Sequence, residues 1–366
     1  MWAEVERALD EGIGQGLFSG AAVAVRTATD EIFVTERGMA ERVPRPRPVG
    51  RDQPWDLASL TKVLCGAPLA MALVAEGALD LDAPISERLP DAPQGVTARH
   101  CLSHSSGLPA WRPLYEVALA NGWPWGTDTT RRRLLGAAMT TPLQAAPGER
   151  HRYSDLGFLL LTSLFETFGD RVDRLWERLV RAPSGADLRW GWPGAASTEL
   201  CPVRGAVVSG QVHDLNAASL GGLAAHAGLF GSCRAVAASG AWQLRAWSGE
   251  RGEGLSPEVV RQFWGARGPG SHRLGWDSPT PGGCSASERW PADGVGHLGF
   301  TGCSLWIAPS RGVVVSFLSN RVHPFVEGGA VPGAPDSPRY RAFRELRPRV
   351  HGAVIDALSR KGLWEG

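Results

Sequence analysis

Residues 63–75, from Val63 to Ala75, carry no charge. A run of that length is too short to cross a bilayer, which takes about 20 apolar residues. It must therefore find a protein interior to lie in. Directly before it stands Trp55-Asp56-Leu57-Ala58-Ser59-Leu60-Thr61-Lys62. The pattern predicts a buried helix from Ser59 to about Gly77, kinked at Pro68, whose ring removes one backbone donor. Positions i and i+3 share a helix face, so the Ser59 hydroxyl and the Lys62 amine can meet. A hydroxyl becomes a good nucleophile once a base takes its proton. An amine whose pKa is lowered by burial can be that base.

Of the 38 lysines and arginines, only Lys62 and Lys361 are lysines. Arginine stays protonated in proteins and cannot act as a base. The one lysine outside the C-terminal tail thus sits where a removable proton would be useful. The ordinary reading is a helix start, with Ser59 as cap and Lys62 snorkelling. Other stretches must decide between the two.

The balance of charge, net +1 with no basic block, argues against nucleic acid or an anionic membrane as partner. A 366-residue chain that is 43% hydrophobic can bury a large core, as one domain or two. Met1–Arg7 is acidic and lacks an apolar signal core, which predicts a cytoplasmic protein. Six cysteines without a Cys-x-x-Cys pair predict free thiols, neither a disulfide frame nor a zinc site. No metal or other cofactor is expected.

Hydrophobic spacing predicts a helix over 2–13, and two β-rich runs, 21–26 and 31–36, form a hairpin. Residues 42–54 read as loop and 96–103 as helix. His100, His104 and the neighbouring serines invite a Ser-His pairing, but a polar helix end closed by Gly107 and Pro109 is the simpler reading. Residues 111–125 read as a tryptophan-bearing loop that either walls a pocket or packs. Tyr153 precedes a helix from Leu156 to about Phe168 that Ser154 or Asp155 can cap, and it can pass protons if an ammonium lies nearby. Helices are also predicted over 170–182, 235–247, 256–264 and 339–358. His213, Asp214 and His226 match no standard ligand spacing and read as structural loops. Residues 265–293 are loop. Residues 296–307 and 312–318 read as a strand pair, with glycine at 296, 299 and 302 baring the backbone for a close approach.

Three stretches in this order, Ser59-Leu60-Thr61-Lys62, Tyr153-Ser154-Asp155 and His297-Leu298-Gly299, resemble the serine β-lactamase and penicillin-binding-protein superfamily. They look most like its class C β-lactamase-like branch of D-alanyl carboxypeptidases, D-aminopeptidases and esterases. Cys101–Leu108 also resembles a family segment, Leu-Leu-Ser-His-Thr-Ser-Gly-Leu. The resemblance implies an α+β fold: a central antiparallel sheet from both chain ends, flanked by helices, with a helical insertion. The expected layout is a single hydrolase domain, its sheet-bearing part at 1–88 and 268–366 and its helical part at 89–267.

It further implies that Ser59 attacks a carbonyl, that Lys62 and Tyr153 take its proton, and that the backbone N–H groups of Ser59 and Phe300 hold the oxyanion. Asp155, His297, Leu298 and Gly299 would contact substrate. Two departures stand out. Leu298 replaces a threonine that helps hold a substrate carboxylate, and Asp155 replaces an asparagine and adds negative charge. Both disfavour a β-lactam or D-Ala-D-Ala terminus, so an esterase-like or β-lactamase-related hydrolase of a small ester or amide is expected. A carboxypeptidase, aminopeptidase or β-lactamase, and a catalytically silent binding protein, are the alternatives. A Ser-His-Asp hydrolase is disfavoured because the chain has no Gly-x-Ser-x-Gly elbow. Oligomeric state is not readable.

Overall fold

The strand Gly20–Thr27 is buried on both faces from Ala21 to Val25, as a central strand must be. It pairs antiparallel with Val313–Ser319, Ala21 opposite Ser319 through Thr27 opposite Val313. Its other edge pairs with Glu31–Glu41. The computed structural model, which describes residues 1–250, 254–324 and 337–364, completes a six-stranded antiparallel sheet. Its order is Arg47–Pro48, Glu31–Glu41, Gly20–Thr27, Val313–Ser319, Cys303–Ala308, Val295–Gly299. The two ends of the chain therefore meet in the middle of the sheet.

Period-two alternation divides the sheet into two faces. Val23, Val25, Trp306, Val315 and Phe317 pack with the first helix, Ala3–Gly14, and the last, Pro338–Ser359. Ala22, Ala24, Leu305, Ile307, Val314 and Leu318 join the larger core on the other face, which holds the Ser59 segment. Small residues let a helix come close here. A methyl on Gly240, in the helix Cys233–Ser248, would lie 2.8 Å from Val314.

The Ser59 helix is less regular than the sequence predicts. It begins as a 3₁₀ turn, Ala58–Leu60, opens into a π turn, Lys62–Gly66, and becomes α-helical over Ala67–Ala75. Pro68 cannot donate to the Leu64 carbonyl, so the disturbance lies upstream of the proline. The freed carbonyls find other partners: Trp176 Nε1 donates to Leu64 O at 2.9 Å, and Gln243 Nε2 to Val63 O at 3.2 Å. The whole stretch Ala58–Ala75 is apolar and long enough to cross a membrane by length alone, but 83% of it is buried inside the protein.

Two expectations are corrected. The tryptophan-bearing segment is not all loop: Leu114–Ala120 is helical. Its cap comes from far away, with Asn216 Oδ1 accepting from Tyr115 N, which local sequence cannot reveal. Residues 296–307 are not one strand. The chain turns back at Phe300–Gly302, where Gly302 takes φ 104, so Val295–Gly299 and Cys303–Ala308 are neighbouring strands. A small second sheet of Trp55–Asp56, Leu229–Gly231 and Leu188–Trp190 was also not expected, and it fixes the entry to the Ser59 turn.

Candidate active site

Ala58 has φ 46, a left-handed conformation uncommon outside glycine. Asp56 holds this turn. Its Oδ1 accepts from Ala58 N at 2.8 Å and its Oδ2 from His213 N at 2.6 Å. Thr301 Oγ1, from the turn after the edge strand, donates to the Asp56 carbonyl at 2.7 Å. Asp56 is buried, and burial pushes its carboxyl up against the pull of His213 and the two backbone donors. The His213 ring pairs with Glu199 at 3.2 Å. Burial draws that ring's pKa down, but Glu199 outweighs it and the net shift is upward. Asp56, His213 and Glu199 were not singled out as site residues by sequence. Asp56 lies three residues before Ser59, and that proximity was the only available signal.

The turn leaves Ser59 half-buried. Lys62 Nζ donates to Ser59 Oγ at 2.9 Å and to Asp155 Oδ1 at 2.7 Å. Lys62 is fully buried, not at the rim of the apolar run as its sequence position suggests. The expectation of a lowered Lys62 pKa is overturned as well. Burial does pull it down, but Asp155, then Tyr153, favour the ammonium and the net shift is upward. Asp155 is thus not simply a free charge facing substrate: one of its oxygens is committed to Lys62.

Tyr153 lies across this pair, its ring centroid 4.8 Å from Lys62 Nζ. Burial raises its pKa; the charge of Lys62 and hydrogen bonding toward Lys62 and Ser59 oppose this without reversing it. Ser154 caps the helix Asp155–Glu166 through Gly157 N. Its hydroxyl donates to Pro109 O at 2.7 Å, and Asp155 N donates to Ala110 O at 3.0 Å. These bonds dock residues 104–110 onto the helix start. His104 is therefore more than the polar helix end read from sequence. It lies 4.4 Å from the Tyr153 ring and accepts from Ser154 N at 3.0 Å through Nδ1.

The edge strand closes the other side. Gly299 touches the Ser59 turn: a methyl there would sit 2.6 Å from Leu57 O, so only glycine lets the two backbones meet. This contact sets the end of the edge strand against the entry to the Ser59 turn. The Phe300 ring is exposed and lies 5.2 Å from the His213 ring. His297 is buried, 5.9 Å from the Tyr153 ring, while strand alternation turns the half-exposed Leu298 to the opposite face.

Among the described residues, one ring nitrogen each from His104, His272 and His297 falls within 4.8 Å of the others, the arrangement closest to a metal site. The donor chemistry does not fit a cation. His104 Nδ1 already accepts a backbone N–H, so in the neutral ring Nε2 carries the proton and has no lone pair to give. The nearby Lys62 charge disfavours a cation further. His213 and His226 pair with Glu199 and Asp214, as structural loop residues do.

A two-sided core sheet, a buried Ser-x-x-Lys turn and a tyrosine across it define a serine hydrolase of the β-lactamase and transpeptidase type. The chain belongs to the Beta-lactamase family, whose model matches residues 5–333. It is 29% identical over 343 residues to a protein of Escherichia coli (strain K12) described as a proposed D-alanyl-D-alanine carboxypeptidase, covering 83% of this chain and 76% of that one. In structure it is similar to EstCE1, a hydrolase with promiscuous acyltransferase activity (TM-score 0.70, 20% identity, 96% and 97% of the two chains). It is also similar to the octameric penicillin-binding protein homologue from Pyrococcus abyssi (TM-score 0.69, 20% identity, 98% and 77%). At these identities the two structures speak for the fold.

Proposed function

We propose that this enzyme hydrolyses small, neutral esters or amides through an acyl-enzyme on Ser59. The observation that carries the reading is the 2.9 Å contact between Lys62 Nζ and Ser59 Oγ, with Tyr153 against both. Ser59 Oγ attacks the carbonyl carbon and its proton passes to the Lys62–Tyr153 pair. The oxyanion rests on the backbone N–H groups of Ser59 and Phe300, a reading supported by the contact of the neighbouring Gly299 with Leu57. The pair returns the proton to the leaving group, and water then clears the acyl group. In this reading residues 1–88 and 268–366 carry the sheet and residues 89–267 the helical side of one catalytic unit.

One feature supports a neutral substrate: the second Asp155 oxygen, on a side chain 20% exposed, repels a substrate carboxylate. Relatives described as carboxypeptidases keep the D-alanyl peptide as the second reading. The test is direct. Wild type is expected to turn over p-nitrophenyl butyrate with a higher kcat/KM than nitrocefin, and folded Ser59→Ala is expected to lose both activities. Intact mass after a fluorophosphonate probe is expected to show one adduct, absent from Ser59→Ala. Full activity in that variant removes the reading, and a higher kcat/KM on nitrocefin removes the substrate class.

A further inference from the structure

A base must be free of its proton, and the structure shows Lys62 held in a way that opposes this. Nζ has no exposure to water and lies 2.7 Å from Asp155 Oδ1. The groups facing it come from every neighbouring segment. Ser59 is on its own helix, and Tyr153 and Asp155 stand at the next helix start. The Phe158 ring lies one turn on, its centroid 5.4 Å away. His104, His272 and His297 come from three further segments, and each feels the Lys62 charge. Burial first, with neighbouring imidazoles and the Lys62 charge adding to it, drives these rings toward the neutral form; His272 is drawn down to about 4 against the pull of Asp277. Above neutrality the imidazoles no longer titrate, which leaves the Lys62–Tyr153 pair beside the Asp155 side chain.

A water-poor site favours the proton count that leaves it uncharged. With a carboxylate at 155, the uncharged state is carboxylate, ammonium and phenol. With an uncharged residue at 155, it is Lys62 and Tyr153 with one proton fewer, and that state already contains a base. The side chain at 155 therefore decides whether the resting site is loaded with an extra proton.

Building on the reading of Ser59 as nucleophile, we propose that Asp155 sets the proton count of the site. It holds the Lys62–Tyr153 pair protonated and unreactive near neutral pH, and acylation turns on as pH rises. On activation the pair releases one proton to solvent. The deprotonated pair then takes the proton of Ser59 as the Oγ–C bond forms, and delivers it to the leaving group as that group's bond to carbon breaks. Asp155 acts through Lys62 and is a positioning residue, not a reacting one.

The scarcity of lysine makes the test clean. With only Lys62 and Lys361 in the chain, protein labelled with ¹³Cε-lysine gives two signals to titrate. The rate of fluorophosphonate labelling of Ser59 is followed by intact mass over the same pH series. Asp155→Asn is compared with wild type, with melting temperatures measured on both. Asp155→Ser is a second uncharged variant, and the helix keeps its Ser154 cap in either. The expected result is that the midpoint of the labelling limb falls by at least one pH unit, about a tenfold change in proton affinity. The Lys62 carbon titration moves with it. Midpoints equal to wild type, with Ser59 labelled in both proteins, overturn the proposal alone. Absence of any Ser59 adduct overturns the nucleophile reading and the proposal together.

Discussion

Asp56 and Asp155 are the two carboxylates that hold the Ser59 turn and its lysine, and they are satisfied in opposite ways. Asp56 is met by two backbone N–H groups, from Ala58 and His213. Asp155 is met by the ammonium of Lys62. A carboxylate held by amides fixes geometry, because its partners cannot move without the chain moving. A carboxylate held by an ammonium fixes a proton, because its partner can titrate. The turn thus has one neighbour that sets shape and another that sets charge.

Three substitutions sharpen or break that contrast. Lys62→Arg keeps the charge opposite Asp155 but cannot give up its proton. The acylation rate is expected to fall at least about a hundredfold, near the low end of the range for general-base catalysis, with the circular dichroism of wild type. A folded variant that acylates Ser59 within a few-fold of wild type would mean that Lys62 is only an electrostatic anchor. Asp56→Ala strips two backbone donors, one buried and one part-buried, of their acceptor. It is expected to cost about 2 to 4 kcal/mol in urea unfolding and to lower activity through loss of the turn. Its surviving activity should keep the wild-type pH midpoint, since Asp56 sets shape; a shifted midpoint erases the distinction between the two carboxylates. Leu298→Thr touches neither carboxylate. Its side chain lies on the sheet face opposite His297, so little change in kcat/KM is expected for neutral esters and for substrates bearing a carboxylate alike. A rise confined to substrates bearing a carboxylate would show that position 298 reads substrate charge after all.

The triplet of motifs was legible because each depends on spacing. Ser59 and Lys62 meet as positions three apart on a helix do, and Tyr153 stands just before a capped helix start. The imidazole wall was not legible. His104 and His272 are far apart in sequence and share no local pattern, yet their rings lie 4.8 Å apart. The Asn216 cap on Tyr115 and the Asp56 bond to His213 were hidden for the same reason.

The sequence by itself determined that Ser59 and Lys62 stand three apart at the start of a buried helix, and that β-rich runs lie near both chain ends; that these runs join in one sheet was implied by the family resemblance. The first two follow from periodicity and from uncharged runs, which act locally. Only the tertiary structure decided the state of the lysine. Burial alone would have lowered its pKa, as the sequence led us to expect. The carboxylate that reverses this comes from a helix 93 positions away, brought within 2.7 Å by folding. Electrostatic energy depends on distance through space and on water shut out by packing, and neither quantity can be read along a chain.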